Sequence, residues 1–245
     1  MRAVILAAGV GARLGDPAAL PKALLRFGGK SLLARHLEAL ALEGIADVVI
    51  GTGYRAEAIE EELARFGASR TVRTVHNPRF REGSNVTLWT LREHVAAGED
   101  VIVMDADVLC DRRMIGRLAQ SRTTSCLLVD RDFEPGDEPV KVCIREGRIV
   151  EFRKAAEGRF DTVGESVGFF RFAAEAARAL AEATERYVAA GAFATPYEEA
   201  IRDLLLAEPG RVGYEDVTGL PWIEIDFPAD VRRAEREVLP RLEDE

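Results

Sequence analysis

Three cysteines and three histidines are all the thiol and imidazole ligands in this 245-residue chain. Cys110, Cys126 and Cys143 lie far apart with no C-x-x-C spacing, and two of them fall within apolar strand-like runs. That pattern points to reduced, buried thiols rather than a redox couple. His36, His76 and His94 form no ligand spacing, so zinc chemistry is not expected. A basic excess is missing too: 42 acidic residues against 33 basic ones leave a formal net charge of −9. This argues against a nucleic-acid backbone or an anionic membrane as partner, since either favours a basic face. No apolar run reaches membrane-spanning length, and Met1 leads directly into a strand-like segment without the regions of a secretory signal, so a cytoplasmic location is expected. A small phosphorylated substrate stays compatible with the charge, because a few placed cations and a bound metal reverse the local field.

What the chain does have is 47% hydrophobic and 31% charged residues, enough for one large domain. Residues 2–7 form a short apolar run closed by Gly9 and Gly11, the pattern of a buried parallel strand entering a glycine-rich loop. Helical spacing follows over Ser31–Leu42, a strand over Asp47–Ile50, a helix over Arg55–Phe66, and a strand over Thr71–His76. A helix from about Asn85 to Ala97 and a strand over Val101–Met104 complete the first half. The alternation predicts an α/β fold, a doubly wound sheet covered on both faces. Further strands are expected at Thr124–Val129, Val140–Ile144 and Arg148–Arg153, the last two joined by a Glu146-Gly147 hairpin turn. Helices over about Ala173–Ala189 and Pro196–Leu206, a strand at Trp222–Ile225 and a helix from Pro228 close the chain.

Three clusters carry chemistry. The first is Leu6-Ala7-Ala8-Gly9-Val10-Gly11-Ala12-Arg13-Leu14, followed by Pro21-Lys22. Glycines directly after a strand let backbone N–H groups approach a polyphosphate, and Arg13 and Lys22 can neutralise it. The spacing is neither a Walker A loop nor G-x-G-x-x-G; a tight turn without a ligand is the plain alternative. The second cluster is the apolar strand Val101–Met104 ending in Asp105 and Asp107, at i and i+2 on one strand face, where one carboxylate can grip a cation directly and the other through water. Strand ends in open α/β sheets are where ligands bind, although solvated acids are also common there. The third is Trp222-Ile-Glu224-Ile-Asp226-Phe-Pro228-Ala-Asp230, a second strand ending in acids, with Asp230 placed as an ordinary first-turn acid of the next helix.

Leu-Ala-Ala-Gly-x-Gly-x-Arg-Leu with a downstream Pro-Lys resembles the signature of the sugar-phosphate and alcohol-phosphate nucleotidyltransferases. The resemblance implies a three-layer αβα, Rossmann-like nucleotidyltransferase fold with a predominantly parallel mixed sheet, in a single domain over 1–245. About 1–120 would bind nucleotide and about 121–245 the acceptor. It also implies that Leu6, Ala8, Gly9, Gly11, Arg13, Lys22, Asn77, Ser84 and Asp105 bind nucleotide, and that Arg13, Lys22 and Asp107 are catalytic. Asp105, Asp107 and Asp226 would hold Mg2+. A bridging cation offsets the repulsion between an attacking phosphate oxygen and an α-phosphate, and no protein nucleophile is needed. This agrees with the absence of a Ser/His/Asp or Cys/His constellation.

Asn77-Pro78-Arg-Phe80, Ser84-Asn85, Lys141, Lys154, Gly164-Glu165-Ser-Val-Gly168 and Tyr197-Glu198 fall in the order of the branch that makes CDP-alcohols. That branch includes the bacterial-type phosphocholine cytidylyltransferases; Val86-Thr87 departs from its pattern. The implied substrates are CTP and a small phosphorylated alcohol or phosphonate, phosphocholine first, in a possible homodimer. Acceptor contacts would come from Asn85, Trp89, Lys141, Lys154, Glu165, Tyr197 and Glu198, with Trp89, Phe80 and Tyr197 as possible aromatic walls for a quaternary ammonium, although Trp89 in its helical pattern also suits a core position and the lysines and glutamates also suit a solvated surface. A sugar-1-phosphate nucleotidyltransferase and a catalytically silent nucleotide-binding domain are the alternatives. The retention of Arg13, Lys22, Asp105, Asp107 and Asp226 speaks against the silent domain.

Overall fold

A computed structural model describes residues 1–15, 20–68, 71–134 and 136–242. The expected alternation is present: β1 (Arg2–Ala7), β2 (Arg26–Phe27), β3 (Lys30–Ser31), α1 (Leu32–Leu42), β4 (Asp47–Thr52), α2 (Ala56–Arg65) and β5 (Val72–His76). Ser31 caps α1 by accepting from Ala34 N at 3.1 Å. The helix expected from Asn85 to Ala97 is two short ones, α3 (Ser84–Thr90) and α4 (Arg92–Val95). The break lies at Leu91, whose N–H is shared between the Thr87 and Leu88 carbonyls as the turn tightens.

Next come β6 (Val101–Asp105), β7 (Val108–Cys110), α5 (Arg112–Ala119), β8 (Cys126–Asp130), β9 (Lys141–Arg145) and β10 (Arg148–Arg153). Glu146 and Gly147, both at positive φ (52° and 71°), make the tight turn between β9 and β10. The chain then forms β11 (Thr162–Phe172), α6 (Ala174–Ala189), α7 (Tyr197–Ala207), β12 (Gly213–Asp216), β13 (Trp222–Glu224) and α8 (Pro228–Arg233).

The nine-stranded sheet runs β5-β4-β1-β6-β11, and β11 continues to β8 and β12 on its far edge. Seven of the nine strands point the same way; β10 and β11 are opposed. The architecture is three-layer αβα. Alternate residues of the apolar strands feed two separate cores. Ala3, Ile5, Ile50, Ile102 and Met104 meet α1, α2 and α5, while Val4, Val49, Val101 and Val103 meet α3, α4, α6 and α7. Burial on both faces is why these strands read as continuous apolar runs.

β11 positions the site. Its C-terminal part pairs with β6 (Phe169–Phe172 against Val101–Met104), and its N-terminal part pairs on the same edge with β9 (Thr162–Glu165 against Lys141–Ile144). The β9–β10 hairpin therefore stands beyond the carboxyl end of β6, and a cleft opens between them. Gly168 lies at that junction with φ +80°, and a Cβ there would be 2.4 Å from Asp105 Oδ2. Only glycine permits both this backbone and this approach. A small two-stranded sheet, β7 with β13, brings the C-terminal segment to the same cleft.

Candidate active site

β1 runs into Ala8–Gly11 and then a single 3-10 turn at Ala12–Leu14, with Leu14 N bonded to Gly11 O at 3.0 Å. Gly11 is left-handed (φ +65°), and a Cβ there would sit 3.3 Å from Lys22 Cγ, so the missing side chain gives the lysine stem its path. A cavity of about 510 Å3 lies between this loop and the Phe80–Ser84 stretch, floored by Asp105–Asp107. Leu6, Ala8, Gly9, Gly11, Arg13, Lys22, Ser84 and Asp105, eight of the residues expected to bind nucleotide, line it. Asn77 does not. It is buried, donates from Nδ2 to Thr87 Oγ1 at 3.0 Å and accepts from Arg79 N at 2.9 Å, so it shapes the Phe80–Gly83 loop from behind. Phe80 and Arg81 line the cavity although neither is among the expected nucleotide-binding residues.

Asp107, Glu224 and Asp226 converge, each offering a carboxylate oxygen within 4.8 Å of the others. The backbone explains this. β6 ends at Asp105, the chain bends, and β7 pairs with β13 so that Val108 faces Glu224, while Ile225 N bonds Asp107 O at 3.0 Å. Asp105 is not among these three converging acids. Its Oδ2 accepts from the Tyr197 hydroxyl at 2.6 Å, and Gly168 packs against it. Glu224 takes the third place; its signal was legible as the same i, i+2 acid spacing at the end of β13. Three hard carboxylate oxygens suit Mg2+.

Two cations interleave with these acids. Lys22 Nζ donates to Asp226 Oδ1 at 2.6 Å and to Asp107 Oδ2 at 3.0 Å. Arg13 Nη1 donates to Asp226 Oδ2 at 2.9 Å and to Glu138 Oε2 at 3.1 Å. Burial opposes the charged form of Lys22, but the charge of Asp107 and the hydrogen bond that Lys22 donates to Asp226 raise its pKa above the usual lysine range. Burial likewise works against the Asp226 carboxylate, and Lys22 and Arg13 more than offset it, holding its pKa below the ordinary value. The acids with no such partner go the other way. Burial, then the charges of Asp107, Glu198 and Glu224, push Asp105 well up, and Glu224, crowded by its surroundings and by the charges of Asp107 and Asp226 although its side chain reaches solvent, is raised as well.

The residues expected to contact the acceptor do not gather in one place. Asn85 is fully buried in α3 and donates to Thr184 O, and the Trp89 indole donates to Glu185 with the Arg92 guanidinium 4.4 Å from its ring. Both face α6 rather than the cleft, so Trp89 forms no aromatic wall. Lys141 Nζ donates to the Gly136 and Lys154 carbonyls at 2.7 and 2.6 Å and lines neither large cavity. Lys154 pairs with Glu138 at 3.0 Å beside a small recess that also touches Asp105, Tyr197 and Glu198. The Glu198 Oε2 atom is buried without a hydrogen-bond partner, and burial raises the pKa of this carboxyl.

Glu165 opens instead on a second cavity of about 620 Å3 that meets the first at Asp226. Nine carboxylate residues line it, among them Asp130, Glu165 and Glu224, together with Phe133, Trp222 and Phe227; Arg233 is the one basic residue among the described lining. Trp222 is held by its indole N–H, which donates to the buried Asp130 at 2.7 Å. Burial, then the charges of Asp130 and Glu134, push Glu165 up to about 7.

Among the described residues no helix is long and apolar enough to cross a membrane. The chain is 29% identical over 253 residues to the CMP-5'-(3-aminopropyl)phosphonate synthase of Streptomyces rubellomurinus, which covers 99% of this chain and 40% of that protein. It spans about half the length, or less, of the curated relatives it matches over nearly its whole length. Two solved structures share the fold. The inositol-1-phosphate CTP transferase of T. maritima has a TM-score of 0.78 at 21% identity, with 99% of this chain and 96% of that one covered. The CTP:phosphocholine cytidylyltransferase of Streptococcus pneumoniae has a TM-score of 0.74 at 23% identity, with 96% and 97% covered. Residues 3–187 match the MobA-like NTP transferase domain. That stretch holds the glycine-rich loop, Lys22 and the Asp105–Asp107 strand end, and the chain belongs to the family of MobA-like NTP transferase domains.

Proposed function

We propose that this chain is a cytidylyltransferase that joins CTP to a small phosphorylated alcohol or phosphonate carrying a cationic tail, of which phosphocholine and aminoalkylphosphonates are the leading acceptors. The observation that carries the reading is the meeting of two unlike cavities at Asp226. One is a glycine-rich pocket with Arg13 and Lys22, suited to a triphosphate. The other is acidic and aromatic, suited to an ammonium group, because carboxylates attract the charge and ring faces attract it further. The named activity of the Streptomyces relative supports a cationic acceptor of this kind.

In this reading the backbone of Ala8–Gly11 faces the triphosphate and the acceptor sits toward Glu165 and Trp222. An acceptor phosphate oxygen attacks the α-phosphorus, the bond to the β-phosphate oxygen breaks, and pyrophosphate leaves. Arg13 and Lys22 offset the charge that develops on the pyrophosphate. Asp107, Glu224 and Asp226 would hold Mg2+, which when bound screens the phosphates from one another. Tyr197 fixes Asp105 through its 2.6 Å hydrogen bond, and so orients the floor of the first cavity.

Pyrophosphate release measured across four nucleoside triphosphates, with phosphocholine, 3-aminopropylphosphonate, inositol-1-phosphate and glucose-1-phosphate, tests the proposal. CTP with a cationic acceptor is the expected best pair. Release only with a sugar phosphate would move the chain to the sugar-nucleotide branch, and no release with any pair would make it a binding domain.

A further inference from the structure

Lys22 stands where a metal cation would be expected. Its ammonium is within hydrogen-bond distance of two members of the carboxylate triad, Asp107 Oδ2 at 3.0 Å and Asp226 Oδ1 at 2.6 Å, and bonds the same side chains that a divalent ion would use. An ammonium and a divalent cation held by one pair of carboxylates repel each other at short range, and the lysine side chain is only 15% exposed, so water screens that repulsion poorly. Arg13 differs in this respect. It reaches only Asp226, shares itself with Glu138, and is 48% exposed on the outer side of the cluster.

We propose that Lys22 is the resident counter-ion of the Asp107–Asp226 pair and excludes a divalent cation from it until a triphosphate draws the ammonium away, so that metal enters with nucleotide and not before. The lysine is built for the exchange. It belongs to a 3-10 turn started by Pro21, which fixes its backbone, while its stem lies against Gly11 of the loop that lines the first cavity. Rotation about its terminal bonds carries Nζ from the carboxylates toward the cavity, where an anion takes over the partnership. The protein thereby avoids leaving Asp107, Glu224 and Asp226 facing each other without a cation in either state. The identity of the incoming anion rests on the nucleotidyl-transfer reading; the exclusion of metal by Lys22 does not.

The test is a Mn2+ titration of the purified chain without nucleotide, followed by the electron paramagnetic resonance of free Mn2+. Lys22→Met is expected to bind Mn2+ at least about tenfold more tightly than the wild type, the change that about 1.4 kcal/mol of relieved repulsion produces. Lys22→Arg, which keeps the charge, should stay near the wild type. Equal or weaker Mn2+ binding by a folded Lys22→Met overturns the proposal. If that variant does not fold, the wild type decides. A non-hydrolysable CTP analogue must then raise bound Mn2+ above the sum of what protein and analogue bind separately, and simple additivity overturns the proposal. A chain that shows the tightening yet releases no pyrophosphate keeps this inference and loses the assigned reaction.

Discussion

The two cavities that meet at Asp226 solve opposite problems with the same residue types. In the first, Asp107 and Asp226 are each bonded to Lys22, and Arg13 adds a second bond to Asp226, so acids and cations arrive as ready-made pairs. Incoming phosphates can take over the cations and a metal the carboxylates, with little net charge created. In the second, nine carboxylate residues face one arginine, and that arginine is already paired with Glu134 at 3.2 Å. A surplus of that kind fits a cation and disfavours an anion. In the proposed reaction, a chain of net charge −9 would receive an anionic nucleotide by pairing its charges locally, with the remaining acid concentrated in the second cavity, where a cationic group would be placed.

The comparison breaks hardest at the triad. Asp107→Asn is expected to lower kcat at least ~100-fold with the melting temperature little changed, as for other groups that act on charge in the transition state. Near-wild-type turnover in Mg2+ would remove Asp107 from the chemistry. The wall between β6 and β11 comes next. Gly168→Ala puts a Cβ 2.4 Å from Asp105 Oδ2 on a left-handed backbone, and should cost about 2 kcal/mol or more in urea unfolding at constant m. An unchanged midpoint would mean that the junction is looser than described.

The smallest effect sharpens the second cavity. Glu165→Gln should raise the phosphocholine KM about tenfold and leave the CTP KM within about twofold, because the lost charge lines the second cavity and not the first. The sign of its pH dependence follows from its raised pKa. Glu165 becomes a carboxylate only as pH rises through about 7, so wild-type acceptor KM falls across that range, and the difference from Glu165→Gln widens with it. A parallel pH profile in both proteins would place recognition elsewhere.

Most of this was legible where local pattern and tertiary need coincide. The β1 loop, the strand-end acids and the helices over Ala174–Ala189 and Tyr197–Ala207 follow from apolar runs and spacing alone. β11 was not legible. Its Thr-Val-Gly-Glu-Ser-Val-Gly segment carries two glycines that weaken a strand pattern and was assigned no element, yet Gly164 and Gly168 are there because Val129 and Asp105 press against them. The same holds for the site. Asp107 and Asp226 could be marked from their own strand ends, and the Glu224–Asp226 spacing was visible as well, but the convergence of Glu224 on Asp107 depends on β13 pairing with β7, a long-range contact that spacing does not reveal. Trp89 and Asn85 were assigned to the acceptor from chain order, whereas the helical phase of α3 turns them toward α6. Phe133 and Trp222, which line the second cavity, went unmarked because aromatic side chains carry no sign of which cavity they will face.

The most direct test of the division of labour between the cavities is kcat/KM with CTP for phosphocholine and 3-aminopropylphosphonate set against inositol-1-phosphate and glucose-1-phosphate. An acidic, aromatic acceptor cavity predicts that at least one cationic acceptor leads both neutral-ring phosphates by about tenfold or more. A lead for inositol-1-phosphate or glucose-1-phosphate would contradict it, and would mean that the second cavity does not select the acceptor.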